Sequence, residues 1–280
     1  MLQDIAAYLR CPHCGGDLGI ARRAVTCPRG HSFDIARQGY VSLLPGDVQT
    51  GTGDTGEMVR AREAFLAGGH LSAVAEAVAS ECSRLVKGAS AGAIVDLGAG
   101  TGYYLAAALE RLPGRSGIAL DISKHAARRA ARAHPRVGAV VCDAWGALPV
   151  RTGAAAAMLS VFAPRNGAEM RRVLRREGAL LLVTPAPEHL AELVDAVGLL
   201  SVDERKDERL QERLGGFFEV ESRESLGVPL ALGHADIERL VGMGPSAWHT
   251  DPATTRERVA ALREPISVAA AVTLSVLRPR

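Results

Sequence analysis

The chain has 280 residues, 48% hydrophobic and 23% charged, a balance that fits a folded globular protein and excludes a disordered or fibrous one. Its 33 Lys and Arg against 31 Asp and Glu leave a net charge of only +2, so overall basicity gives no argument for nucleic acid. No apolar run reaches the roughly 18 to 20 residues of a membrane span, and "MLQDIAAYLR" lacks the pattern of a signal peptide, so a cytoplasmic protein with no membrane partner is expected.

Three of the five cysteines fall in the first 27 residues. Cys11 and Cys14 form C-x-x-C, and Cys27 and His31 form C-x-x-x-H. The intervening "GGDLGIARRAVT" suits a hairpin that returns the second pair to the first, with Gly15 and Gly16 where the backbone must turn. Four N/S donors without an oxygen ligand point to structural, tetrahedral Zn2+. Unpaired buried cysteines would not explain both spacings, and a redox pair would leave Cys27 and His31 idle. His13 is expected to face solvent. Residues 1–45 thus read as a zinc ribbon or knuckle, for which the metal supplies much of the stability. Arg10, Arg22, Arg23, Arg29 and Arg37 are available there for phosphate, although Asp4, Asp17 and Asp34 dilute the charge.

Residues 46–88 read as a linker and bridging helices. "DVQTGTGDTGE" has a connector's composition, and helical patterns follow over 58–71, stopping at Gly68-Gly69, and over 73–86. From 89 to 280 strands and helices alternate. Strands are expected at 93–98, 116–121, 137–143, 154–164, 179–185, 217–225 and 267–278. Helices are expected at 103–112, 123–134, 167–178, 188–200 and 234–244. This is an α/β pattern with a parallel sheet covered on both faces. "DERKDERLQER" (203–213) reads as a solvated helix face, and His125 and His134 as surface residues on an Arg-rich helix. Cys82 and Cys142 read as packing residues.

"VDLGAGTGYY" carries the most information. Gly98, Gly100 and Gly102 stand between a strand and a helix, where a cofactor's approach demands missing side chains. Asp121 ends the next strand, placed to accept ribose hydroxyls, and Asp143 ends the third, near an adenine edge. The G-x-G-x-G spacing preceded by Asp96 looks like the S-adenosylmethionine site of class I (Rossmann-like) methyltransferases. A nicotinamide enzyme or an incidental strand–turn–helix are the alternatives.

With these residues in view, the whole chain resembles the RlmA-type 23S rRNA (guanine-N1)-methyltransferases and leans toward their macrolide-resistance subgroup. The stretches "CPHCGG", "CPRGHSFDIARQGYVSLL", "GDTGEMVRAREAFLAGGHL", "VDLGAGTGYY", "VFAPRN", "TPAPEHLAEL" and "MGPSAWH" carry the likeness. The resemblance implies zinc on Cys11, Cys14, Cys27 and His31. It also implies S-adenosylmethionine against Ala99 and Gly100, with His70, Leu71 and His189 closing over it. Leu71 stands where relatives often have tyrosine, and Thr101 where an acid is frequent. The implied substrate is a hairpin of 23S rRNA, or a 50S precursor, with macrolide resistance as the outcome. A homodimer is left open.

Methylation of guanine N1 needs a base looped out of its stem and held in line with the methyl donor. "SVFAPRN" is where this fold positions its target, so Phe162 is a candidate to stack on the base and Arg165 to meet a phosphate or a guanine oxygen. The alternative for Phe162 is core packing. Asp143 is a candidate for proton removal beside its adenine role, His189 for closure or an ordinary helix position, and Trp248 for the RNA pocket or a structural role. A class I enzyme acting on a small molecule or protein, and a non-catalytic RNA-binding protein, are the competing functions.

Overall fold

A computed structural model describes residues 1–46, 53–88, 91–199, 212–244, 247 and 251–280. Trp248, most of the 203–213 charged stretch and residues 47–52 of the connector lie outside these. At the centre is an eight-stranded sheet in the order β10-β11-β9-β8-β5-β6-β7-β4. Its strands are β4 (Tyr40–Ser42), β5 (Ala93–Leu97), β6 (Gly117–Asp121), β7 (Val137–Val141), β8 (Ala155–Val161), β9 (Leu174–Pro185), β10 (Phe218–Leu232) and β11 (Ile266–Pro279). Those from β4 to β9 run parallel, β11 is antiparallel to β9, and β10 is antiparallel to β11. Every residue of β5, β7 and β8 is buried, as continuous apolar runs must be when both sheet faces are covered.

On one face lie α2 (Gly56–Ala67), α3 (Ser72–Val86), α4 (Tyr103–Glu110), α5 (Lys124–Ala133) and α8 (His234–Met243). In α5, Ala126, Ala127, Ala130 and Ala131 form the buried stripe, and small side chains bring the helix close to the sheet. The Ser123 hydroxyl caps this helix by accepting the Ala126 N–H. The other face carries α1 (Leu2–Ala6), α6 (Gly167–Val173) and the N-terminal module, which has its own sheet of β1 (Gly19–Ala21), β2 (Ala24–Thr26) and β3 (Ser32–Asp34). α7 (Ala191–Val197) and α9 (Pro252–Ala260) pack together beside β11.

The N-terminal module is built into the sheet. β4 adds itself to the edge strand β7, and Leu9 bridges to Val150. Ile5 is fully buried against β7 at Gly138, where a Cβ would meet its Cδ1 at 2.4 Å. Burying such a side chain contributes about 1.5–3 kcal/mol. Arg151 Nε donates to the Leu9 carbonyl and its Nη2 pairs with Asp17 at 2.9 Å. Arg10, read above as available for phosphate, is committed instead: its Nε donates to the Leu148 carbonyl and its guanidinium faces Glu169.

Three sequence expectations need correction. The helix expected over 167–178 stops at Val173, because Leu174 turns extended and pairs with Ala155 in β9. The strand expected at 217–225 runs to Leu232, supported along its length by β11. His134 is buried, accepting the Arg136 N–H on Nδ1 and facing Glu110 with Nε2, and burial lowers its pKa. His125 and His13 are exposed, the latter stacked on Phe33.

Candidate active site

After β5 the chain turns through Gly98, Gly100 and Gly102 with φ of 73°, 55° and 79°, the left-handed region that favours glycine. At Gly98 a Cβ would stand 2.5 Å from the Cβ of Ala163, so the loops after β5 and β8 meet only because that atom is missing. At Gly102 it would stand 3.0 Å from Ala133, which lets α4 begin hard against α5. Gly102 therefore serves packing, whereas Gly98, Ala99 and Gly100 face a cavity.

Asp121 fixes this loop. Its Oδ2 accepts the Gly100 N–H and its Oδ1 the Ser123 N–H, both at 2.8 Å. Burial still pushes this carboxyl up despite those two bonds. The Ser123 hydroxyl donates to the Asp54 carbonyl at 2.6 Å, the Asp54 carboxylate pairs with Arg62, and Arg62 Nη2 donates to the Met243 carbonyl at 2.7 Å. The segment before α2 is thereby fastened to the end of β6 and to α8.

Asp96, one residue before the end of β5, is 1% exposed, and its Oδ2 has no partner among the described residues. Burial, and secondarily the charge of Asp121, push its carboxyl up to about 8. Such a group beside a cavity is a place where a cation would be favoured.

A cavity of about 920 Å³ opens at the carboxyl ends of β5 and β8, where the strand order reverses and α/β folds bind their ligands. Asp96, Asp121 and Asp143 line it with the glycine loop; Leu71, Phe162, Arg165 and His189 form other walls. Asp143 Oδ1 accepts the Trp145 N–H at 2.9 Å. Phe162 has a φ of 53° and is 42% exposed, which is no core position; the left-handed backbone costs an aromatic residue about 1–3 kcal/mol. His189 Nδ1 lies 2.8 Å from the Ala271 carbonyl. A carbonyl only accepts, so Nδ1 carries the proton, and in the neutral ring Nε2 is the acceptor nitrogen. Its ring lies 5.9 Å from that of Phe162. Asp54, Arg62, Trp145, Arg213 and Met243 also line the cavity; sequence reading did not select them. Asp54 and Arg62 fall within "GDTGEMVRAREAFLAGGHL", Met243 opens "MGPSAWH", and Trp145 follows Asp143 by two residues, but nothing in those stretches marks the individual side chains.

The donor set fits S-adenosylmethionine. Three carboxyl groups line the cavity beside the glycine loop and the Gly100 N–H is already given to Asp121, a setting that disfavours phosphate; the orphaned Asp96 oxygen suits a cationic ligand, and the cavity has the volume for a nucleoside-sized group.

The second site is the cluster Cys11, Cys14, Cys27 and His31, whose ligand atoms all lie within 4.8 Å of one another. Cys14 Sγ is 3.8 Å from Cys27 Sγ, and His31 Nδ1 is 3.5 Å from Cys11 Sγ and 3.3 Å from Cys27 Sγ. Tetrahedral zinc with Zn–S of about 2.3 Å and Zn–N of about 2.0–2.1 Å requires separations of about 3.5–3.8 Å. Burial opposes ionisation of Cys27, but hydrogen bonds from His31 and neighbouring backbone bring its thiol down to about 6. Cys82 and Cys142 are buried elsewhere, with burial raising both thiols.

Comparison with known proteins agrees with this division. Residues 9–50 match the family model described as RlmA, N-terminal, a zinc ribbon, and residues 94–178 match the model described as Methyltransferase domain. Fold and site thus define an S-adenosylmethionine-dependent methyltransferase carrying a structural zinc ribbon. The chain is 52% identical over 295 residues to a protein of Micromonospora griseorubida named as a 23S rRNA (guanine-N(1)-)-methyltransferase, covering all of both. It is 47% identical to the 23S rRNA (guanine(748)-N(1))-methyltransferase of Streptomyces fradiae, covering 100% of this chain and 99% of that one. Against YxjB of Bacillus subtilis, named likewise without a position, identity is 32% over 67% of each chain. The chain belongs to the family of 23S rRNA (guanine-N1)-methyltransferases.

The purified protein is expected to hold one zinc per chain by atomic emission. Cys27→Ala should lower that to well below half and broaden thermal unfolding of the whole chain, since the module is built into the sheet; full zinc occupancy in the variant would contradict the assignment. A second expectation concerns pH. Asp96 binds its proton more tightly folded (about 8) than unfolded (about 3.9), so its contribution to stability is full below about pH 4 and lost as pH rises through 8. In urea unfolding without cofactor, the wild type should lose about 2–3 kcal/mol more than Asp96→Asn between pH 6 and 9. Equal slopes would show that Asp96 does not titrate there.

Proposed function

We propose that this chain transfers a methyl group to N1 of a guanine in a 23S rRNA hairpin, at the counterpart of the guanine 748 named for the Streptomyces fradiae relative. The full-length identity of 47% to that enzyme carries the reading, and the cavity at the sheet's switch point supports it. A ribosomal substrate would make the cytoplasm its place of work. A methyl on a base lining the macrolide site would lower drug affinity, and the resistance subgroup's likeness supports that outcome.

Bound S-adenosylmethionine supplies an activated methyl on a sulfonium. Asp96 sits where a carboxylate would balance that cation or the amino group beside it. The backbone of Gly98, Ala99 and Gly100 forms the close wall, and Asp121, each oxygen holding one N–H, retains lone pairs for ribose hydroxyls. Asp143, Leu71 and His189 line the same cavity; Asp143 would meet the adenine, and Leu71 and His189 would close the remaining sides. Phe162, presented to the cavity by its left-handed backbone, offers a face for the target guanine, and Arg165 lies on the same loop to meet its oxygen or phosphate. Positioning of this kind supplies much of the barrier reduction, about 7–11 kcal/mol in favourable cases.

A hairpin transcript containing the target guanine, incubated with the protein and labelled methyl donor, should yield labelled 1-methylguanosine on digestion. Phe162→Ala should lower the rate about tenfold or more. Replacing the target guanine with adenine should abolish labelling. Label on a different position of the base, or none on RNA despite cofactor binding, would overturn the proposal.

A further inference from the structure

Trp145 lines the cavity and is 56% exposed. Its backbone is pinned on both sides: the N–H donates to Asp143 Oδ1 at 2.9 Å, and the carbonyl accepts the Asn166 side-chain amide at 3.0 Å. The guanidinium carbon of Arg213 lies 5.2 Å from the ring centroid. A third group completes the lip. Arg165 projects into the same cavity with a buried Nε that has no partner. Burial, together with the charge of Arg213, lowers its pKa.

Among the described residues neither Arg165 nor Arg213 has a carboxylate partner, whereas Arg62 across the cavity is committed to Asp54 and Met243. Two guanidiniums that repel each other, one with a buried unsatisfied donor, call for an anion between them. An exposed indole beside them calls for a flat apolar partner. One ligand class offers both together, an unpaired nucleotide with its phosphate.

We infer that Trp145, Arg165 and Arg213 form a lip that grips the nucleotide next to the target guanine, Trp145 stacking on its base and the two arginines taking the intervening phosphate. This rests on the rRNA reading above and adds a selection rule. A base inside a duplex cannot reach the indole, so the lip favours hairpin loops over paired stems.

The test compares Trp145→Ala, Trp145→Phe and Arg213→Ala with the wild type on the hairpin transcript. Trp145→Ala should raise the KM for RNA about 5- to 100-fold while leaving cofactor affinity by calorimetry unchanged, and Trp145→Phe should recover most of the loss. Arg213→Ala, at an exposed position, should raise KM and flatten its dependence on salt. In a Trp248→Phe background Trp145 is the sole indole, and its fluorescence should be quenched by the hairpin but not by a perfect duplex of equal length. An unchanged KM in Trp145→Ala, or no quenching by a hairpin that the protein methylates, overturns the lip and leaves the rRNA reading standing. A wild type that methylates no RNA overturns both.

Discussion

The contact between Gly98 and Ala163 governs the rest of the site. With a Cβ at residue 98 the two would stand 2.5 Å apart, and the loops after β5 and β8 would have to separate. Because they meet, the crevice at the switch point has a closed floor. The Gly100 N–H is delivered to Asp121, and the Asp96 carboxyl is sealed beneath with one oxygen unpartnered. Phe162 and Arg165, flanking Ala163 on the same loop, are placed at the target side by the same contact. Cofactor wall and substrate wall are therefore one mechanical unit.

The N-terminal ribbon depends on the sheet just as directly. Its last strand is the sheet's edge strand, its first helix fills the notch at Gly138, and Arg10 and Arg151 tie its backbone to the loop before β8. Metal binding by Cys11, Cys14, Cys27 and His31 thus stabilises one continuous core that includes Leu2, Ile5, Val41 and Val140. A module joined in this way holds a fixed orientation to the cavity, which suits an enzyme that acts on one base of a large folded RNA.

Local features were legible in the sequence because local spacing encodes them. The two cysteine–histidine pairs, the glycine turn with its preceding acid, and the alternation of apolar runs with helical stretches all led to what the fold contains. Readings that required knowledge of a partner element were less secure. "RREG" fits a helix face until β8 offers Leu174 a ladder, and His134 reads as exposed until Arg136 and Glu110 surround it. Asp54 and Arg62 lie in a stretch that carries the family likeness but has no ligand pattern of its own, and Arg213 ends a charged run that reads as solvated surface. Their placement in the cavity depends on contacts between residues far apart in the chain, such as Ser123 with Asp54 (69 positions) and Arg62 with Met243 (181 positions).

The most direct test is primer extension across 23S rRNA isolated from a host lacking this modification, with and without the chain. A methyl on guanine N1 blocks pairing, so reverse transcriptase should stop beside one guanine when the wild type is present. The stop should vanish with Gly98→Val, whose side chain would force the two loops apart. An unaltered extension pattern from cells containing folded, cofactor-binding wild type would contradict the assignment of this chain to guanine N1 of 23S rRNA.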